Sequence, residues 1–179
     1  MRKELDEELC RKYPKIFRDR HAPMNQTCMC WGFAHGDGWY NVIDTLCANI
    51  QSHIDWSRRK RVDALLFNRA LGRAIREDFT LFQKLPSWEQ KRLHEELESP
   101  EPQCMIVPES IPQVVAIQVK EKFGTLRFYY NGGDDIVDGM VSMAESMSAT
   151  MCEECGAPGK ATQGGWIRTL CEEHTKKTS

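Results

Sequence analysis

Apolar side chains recur at helical spacing through most of the first hundred residues. This periodicity predicts an amphipathic helix over residues 2–12, a second over residues 40–54 and a longer third over residues 58–82. Ser87 follows a proline, and Gln90 three residues later completes a capping-box pattern, so a fourth helix is expected to begin there. The N-terminal half of the chain is therefore predicted to be mostly helical.

The pattern changes from helical spacing to short β-type runs after residue 113. β-branched and aromatic residues at 114–119 and 125–130 predict two strands, which residues 120–124 join as an antiparallel hairpin. Helical spacing returns at Asp134, and the methionines of that segment are expected to pack into the core. We therefore predict an α+β fold, with a helical N-terminal half and a short antiparallel sheet with a covering helix.

Residues 31–39 combine large aromatic side chains with three glycines, which is typical of a structured loop. In the simpler interpretation the aromatic side chains anchor this loop to the core. In the alternative they line a pocket for a flat or charged ligand, with four candidate contacts: Trp31, Phe33, His35 and Trp39. A hydrolase centred on His35 and Asp37 is disfavoured, because no nucleophile and base stand at a recognised spacing. We expect a protein that is not an enzyme.

The composition narrows the class of protein. The chain has 179 residues, of which 41% are hydrophobic and 28% charged, as in ordinary globular proteins. No run approaches the ~18 apolar residues of a membrane helix, and the first dozen residues lack the apolar stretch of a signal peptide. We therefore expect a cytoplasmic protein. Because the net charge is −2, attraction to nucleic acid would have to be local.

The strongest chemical signal is a set of paired ligands near the C-terminus. Cys152 and Cys155 form one pair, and after fifteen intervening residues Cys171 and His174 form another. Two such pairs supply the four ligands that a tetrahedral Zn²⁺ requires, and no coordination position remains for water. The sequence therefore predicts a structural zinc ion. A second set is spaced too unequally to predict another site: Cys28, Cys30, His35 and Cys47.

The residues around these ligands predict a small zinc finger. A glycine after Cys155 permits a tight knuckle turn, Gly164 and Gly165 predict a hairpin, and the second ligand pair suits the first turn of a helix. Knuckle, hairpin and helix in this order are typical of a treble-clef or zinc-ribbon-like finger. We predict two domains, an α+β domain over residues 1–149 and a zinc finger over residues 150–179 that docks on it.

Two groups of basic residues are candidates for an anionic partner. Lys122 and Arg127 alternate with aromatic residues in the predicted hairpin, a combination that can hold phosphates and stack bases. A helical projection also brings four arginines to one side of the third helix: Arg58, Arg69, Arg73 and Arg76. Solvated faces are the simpler interpretation, so a nucleotide or nucleic-acid partner is an alternative.

Several motifs together give a likeness that spans almost the whole chain. They are Trp-Gly-Phe at 31–33, Gly-Asp-Gly-Trp at 36–39, Gln-Val-Lys-Glu-Lys-Phe-Gly-Thr-Leu-Arg-Phe-Tyr at 118–129, Met-Ala-Glu at 143–145 and the Cys/His tail. With them the chain resembles a family of small bacteriophage and prophage proteins that has no assigned activity. The resemblance implies a phage accessory protein in the bacterial cytoplasm, and by analogy an inhibitor that binds a host defence system or host enzyme. The alternatives are a nucleic-acid-binding regulator and a sponge for a nucleotide signal.

Overall fold

The computed structural model describes residues 1–178, which form five helices and two small antiparallel sheets. The helices are α1 (Lys3–Lys12), α2 (Tyr40–Ala74), α3 (Ser87–Glu98), α4 (Asp135–Ser148) and α5 (Glu172–Thr178). The strands are β1 (Val115–Lys122), β2 (Thr125–Asn131), β3 (Lys160–Ala161) and β4 (Thr169–Leu170). The predicted mixture of helix and sheet is confirmed. No helix in this part of the chain has both the length and the apolar character to cross a bilayer.

The chain divides into two compact units, at places other than the predicted boundary at residues 149 and 150. One unit contains Met1–Ile54 together with the chain from Pro112 onward, and the other contains Asp55–Ile111. The Cys/His tail belongs to the first unit because direct hydrogen bonds join it to earlier elements. Trp39 Nε1 donates to the carbonyl of Met151 at 3.0 Å, and Thr169 Oγ1 donates to the carbonyl of Gly124 at 2.7 Å.

The prediction of two separate helices over residues 40–54 and 58–82 is wrong, because a single helix, α2, spans Tyr40–Ala74. It continues for 35 residues, because no glycine or proline interrupts residues 54–58. It ends at Ala74 and not at residue 82. Glu77 adopts a left-handed conformation with φ of 65°, and the N–H of Asp78 bonds back to the carbonyl of Arg73 at 3.1 Å. Glycine or asparagine usually marks such a helix end, so glutamate gave no signal.

The unit from Asp55 to Ile111 has its own apolar core, formed by the later part of α2, helix α3 and the segment that joins them. The predicted capping box is wrong: Ser87 makes no side-chain capping bond, and the residue before the helix is Pro86. Gln90 instead donates to the carbonyl of Leu85 at 2.7 Å. Asn68 pairs through its side-chain amide with both backbone groups of Met105, which ties the extended segment after α3 to α2.

The predicted hairpin is confirmed, with a shorter turn than expected. Strands β1 and β2 pair antiparallel, with Lys120 opposite Arg127 and Lys122 opposite Thr125. The turn contains only Phe123 and Gly124, both at positive φ (53° and 77°), as a two-residue turn between twisted strands requires. The strands therefore occupy most of the residues expected to form the connection.

Helix α4 covers the free edge of β2, as predicted for the covering helix. Ser148 Oγ and Glu145 Oε1 accept hydrogen bonds from the backbone N–H groups of Leu126 and Phe128, at 2.8 and 2.9 Å. The face that α4 buries consists of Val137, Val141, Ala144 and Ser148. The prediction that the methionines pack in the core is wrong. Met143 is 61% exposed and Met147 49%, because they lie beside the buried face and not on it.

Candidate metal centre

The four predicted ligands lie together. Their donor atoms are all within 4.8 Å of one another, and among residues 1–178 this is the only group of three or more Cys, His, Asp or Glu that could hold a metal ion. His174 Nδ1 lies 3.5 Å from Cys152 Sγ and 3.2 Å from Cys171 Sγ, and Cys155 Sγ lies 3.8 Å from Cys171 Sγ.

These separations fit a single tetrahedral ion. Bond lengths of about 2.3 Å to sulfur and about 2.0 Å to nitrogen give tetrahedral edges of about 3.8 Å between sulfurs and about 3.5 Å between sulfur and nitrogen. The distance between Cys155 and Cys171 and that between Cys152 and His174 match these edges, the contact between Cys171 and His174 is shorter, and all pairs lie within 4.8 Å. Three thiols and one imidazole therefore form a donor set and a geometry that can bind a metal ion.

The protonation chemistry of the cluster also favours a cation. Burial raises the pKa of the Cys152 thiol, but backbone N–H groups of Cys171, Cys155 and Glu154 outweigh it and lower that pKa to about 7. At Cys155 the N–H of Ala157 favours the thiolate, yet burial and the neighbouring Cys152 and Cys171 raise the pKa overall. Adjacent sulfurs cannot all ionise without a counter-charge, and a divalent ion would supply it.

Local backbone bonds shape the first ligand pair. We call Cys152–Gly156 the knuckle. The N–H of Gly156 bonds to the carbonyl of Cys152 at 2.8 Å, and the N–H of Cys152 bonds to the carbonyl of Ala157 at 2.7 Å. Gly156 has a φ of 77°, the left-handed conformation that glycine adopts without strain. The predicted knuckle turn is confirmed in this respect.

The second ligand pair lies at the start of helix α5. Cys171 immediately precedes the helix and accepts a backbone bond from Thr175 at 2.9 Å, so His174 stands one turn away on the same face. Strands β3 and β4 lead into this helix, with Lys160 opposite Leu170. The predicted hairpin is thus present, but each strand has only two residues.

A glycine loop from the N-terminal part of the chain supports the knuckle, and sequence reasoning missed its role. We call residues 36–38 the glycine loop. The N–H of Gly38 bonds to the carbonyl of Glu153 at 2.7 Å. A Cβ atom added at Gly38 would lie 2.1 Å from the carbonyl oxygen of Cys152 and 2.4 Å from the nitrogen of Gly156. Only glycine allows the two backbones to approach this closely.

Glu153 connects the glycine loop to the finger hairpin. Its side chain is buried and accepts from the N–H of Gly36 at 3.0 Å and from Arg168 Nε at 2.9 Å. Arg168 also pairs with Glu154 on the knuckle. The backbone N–H of Glu153 bonds to the carbonyl of Thr169 at 2.9 Å. The ligands are therefore held by an extended network and not by the short finger alone.

The aromatic loop is mainly a core anchor. Phe33, His35 and Trp39 are buried, while Trp31 is 73% exposed. The ring of His35 lies between those of Phe33 and Trp39 and contacts both. Burial lowers the pKa of His35 to about 4, and its Nδ1 donates to the carbonyl of Gly36 at 2.7 Å. Asp37 is bound by the backbone and side chain of Arg2. Of the four predicted aromatic-loop contacts, only Trp31 is available at the surface.

The candidate basic residues are partly engaged. Lys122 is exposed and lies over the ring of Phe123, whereas Arg127 pairs with Glu145 at 3.5 Å. Of the predicted arginine stripe, Arg73 pairs with Asp78, Arg58 pairs with Asp55, and Arg76 falls beyond the end of α2. The stripe and the hairpin belong to different compact units.

The unequally spaced set of Cys28, Cys30, His35 and Cys47 does not form a candidate metal site among the described residues. Cys28 is exposed and Cys47 is buried, and Cys30 Sγ bonds to the carbonyl of Thr27 at 3.2 Å.

Comparison with protein-family models, with curated proteins and with solved structures gives no match for the chain.

Proposed function

We propose that the C-terminal tail is a treble-clef-like zinc finger with a structural Zn²⁺, and that the protein acts by binding a partner. The observation that carries the first part is the cluster of four protein donor atoms, all within 4.8 Å of one another. Such a set fills the coordination of zinc and leaves no position for a substrate or a reactive water. The order of knuckle, hairpin and helix supports the finger.

The small size of the finger supports a structural role for the ion. Its strands have two residues each, and of the tail after residue 150 only a few side chains are buried, among them Cys152 and Leu170. A segment of this size cannot form a sufficient apolar core, so metal binding would supply its folding free energy. Zinc would in turn hold Glu153 against the glycine loop.

Two observations support a binding role: the candidate catalytic pair is not accessible to a substrate, and many apolar side chains are exposed. The ring of His35 is buried and the carboxylate of Asp37 is bound by Arg2, which leaves neither placed to act on a substrate. Exposed apolar side chains are abundant, and they include Trp31, Met143 and Trp166. Together with the resemblance to bacteriophage proteins, this supports a partner among bacterial host proteins, in the bacterial cytoplasm, whose activity is inhibited.

Zinc content and the effect of ligand loss test the structural role. We expect native mass spectrometry to find one zinc per chain, and Cys171→Ser to lose the ion and expose the tail to protease. Cys104→Ser is the matched control, because Cys104 is also a free cysteine and is exposed outside the cluster. Full folding of the tail without metal would contradict this part of the proposal.

Partner capture tests the binding role. The zinc-loaded protein, immobilised and exposed to bacterial lysate, should retain a stoichiometric protein, and the captured enzyme or defence protein should lose activity. Release of a small nucleotide that is chemically unchanged after denaturation would instead favour the sponge. Formation of product from such a ligand would favour a hydrolase.

A nucleic-acid-binding role is the second candidate, and the hairpin register favours it. Lys120 and Arg127 stand opposite each other, and Lys122 lies in alternation with Lys120 on the same face of β1. Phe123 and Trp166 are exposed and line one hollow with Lys122, so bases could stack beside the cations. Binding of a single-stranded oligonucleotide should then weaken steeply as salt rises, and an affinity insensitive to salt would remove this candidate.

A further inference from the structure

The three cysteines of the metal centre differ in their access to solvent. Cys155 is exposed and Cys171 is half-buried, whereas Cys152 is completely buried. A hollow of about 590 Å³ is lined by Cys171 together with Lys160 and Lys176. A small reagent in the solvent can therefore reach Cys155 and Cys171, while the fold protects Cys152.

The two accessible cysteines are also close to each other. Cys155 Sγ and Cys171 Sγ lie 3.8 Å apart. A disulfide requires about 2.0 Å between the two sulfurs, so they would have to approach by about 1.8 Å. The side chain of Cys155 has room to rotate toward Cys171 because it is exposed. The sulfur of Cys152 instead lies beside His174 Nδ1, at 3.5 Å.

We propose that Cys155 and Cys171 form a reversible disulfide when a hydroperoxide oxidises the protein, and that this disulfide releases the zinc ion. The inference rests on the proposed zinc centre and adds a modification site to it. Zinc binds thiolates, and sulfurs joined in a disulfide have lost the negative charge that holds the ion. Cys152 and His174 would remain as only two of the four ligands that a structural zinc ion needs.

The oxidation removes two electrons from the pair of sulfurs. The Cys155 thiolate attacks the O–O bond of the hydroperoxide and becomes a sulfenic acid, while the other oxygen leaves as hydroxide or alkoxide. The Cys171 thiolate then attacks the Cys155 sulfur and displaces hydroxide, which forms the disulfide. Two protons from solvent neutralise the two leaving groups. A dithiol such as dithiothreitol returns both electrons by exchange, and the two cysteines can bind zinc again.

Hydrogen peroxide added to the full-length, zinc-loaded protein tests the proposal. A chromogenic chelator follows the release of zinc, and tandem mass spectrometry of non-reduced peptides locates the disulfide. We expect one zinc ion to leave for each disulfide formed, and the disulfide to join Cys155 to Cys171. The oxidised chain should be lighter by two hydrogen atoms, and dithiothreitol with added zinc should restore the loaded protein.

Two variants separate this site from other thiols. Cys155→His keeps four donor atoms but removes the exposed sulfur, so peroxide should release its zinc at least tenfold more slowly. The double variant with Cys28→Ser and Cys104→Ser is the matched control, because both residues are exposed cysteines outside the cluster. It should release zinc at a rate within twofold of the wild type.

Zinc that stays bound while peroxide oxidises Cys28 and Cys104 would overturn the proposal. A disulfide between Cys152 and Cys155 would also overturn it, because the buried sulfur would then be the reactive one. A protein purified without zinc would contradict the metal centre instead, and the mapped disulfide would still decide whether Cys155 reacts with Cys171. The same map decides the question should Cys155→His fail to fold.

Discussion

The close approach of Gly38 to the knuckle predicts that a substitution at Gly38 lowers the affinity of the protein for zinc. In Gly38→Ala the new Cβ would lie 2.1 Å from the carbonyl oxygen of Cys152, and an ordinary contact requires about 1.3 Å more. Backbone surrounds this position: the nitrogens of Gly156 and Cys155 would be at 2.4 and 2.7 Å. The glycine loop must therefore separate from the knuckle.

The magnitude follows from the contacts that this separation removes. Gly38 and Gly36 donate to Glu153 at 2.7 and 3.0 Å, and both bonds would be stretched or broken. A hydrogen bond of this kind contributes about 1 kcal/mol, and overpacking against a rigid neighbour costs about 1–3 kcal/mol. We expect a total loss of roughly 3–5 kcal/mol. Since 1.4 kcal/mol is tenfold, zinc affinity should fall by at least about a hundredfold.

Titration against a competing chelator measures this change, with urea unfolding as the second readout. Gly72→Ala and Gly139→Ala are matched controls, because both positions are helical and a Cβ there would meet no atom within 4 Å. These controls should stabilise the protein by roughly 0.5–1 kcal/mol and leave zinc affinity unchanged. A Gly38→Ala protein that binds zinc within threefold of the wild type would refute the reasoning.

Three further predictions concern polar side chains that hold elements of the fold together. Glu153→Gln should lower the free energy of unfolding in urea by about 2 kcal/mol, because the charged acceptor of Gly36 and Arg168 is lost. Asp134→Ala should lower the thermal midpoint by removing about 1 kcal/mol, since Asp134 accepts from the N–H of Val137 at the start of α4. Burial lowers the pKa of His35 to about 4, below its ordinary 6.5, so the unfolded chain binds the extra proton first and stability falls as pH falls between these values. His35→Phe removes this titration. The difference in the free energy of unfolding between the two proteins, measured in urea, should therefore change by about 3 kcal/mol from pH 6.5 to 4. A difference that stays constant over this pH range would contradict the buried state of the ring.

The cluster of four candidate metal ligands could be predicted from the sequence because their spacing is itself the chemical requirement. Cys152, Cys155, Cys171 and His174 occur as two short pairs, and each pair needs only a local turn to aim both donors at one point. The hairpin and the helix that covers it were also predictable, since both follow from local periodicity and turn residues. Local information was enough for each of these features.

The remaining features depend on contacts between distant segments. The sequence indicates only a pocket or an anchor at the glycine loop, because nothing near Gly38 in sequence shows that the backbone of Cys152 lies against it. Helical spacing placed the methionines of α4 on an apolar face but could not show that Val137 and Val141 form the buried one. Helix α2 ends just before Glu77, which adopts a left-handed conformation although it is not a glycine. In each case tertiary packing overrides the local pattern.

The division of the chain has a consequence for biosynthesis. Asp55–Ile111 is one uninterrupted stretch with its own apolar cluster, so it can fold as soon as it leaves the ribosome. The first 54 residues have to wait, because the strands and the knuckle that complete their unit are translated after residue 111. During that interval the surface around Trp39 and Phe33 is open to chaperones and proteases. If the cluster binds its proposed ion, the supply of metal when residues 152–174 emerge would then decide how long the newborn protein remains vulnerable.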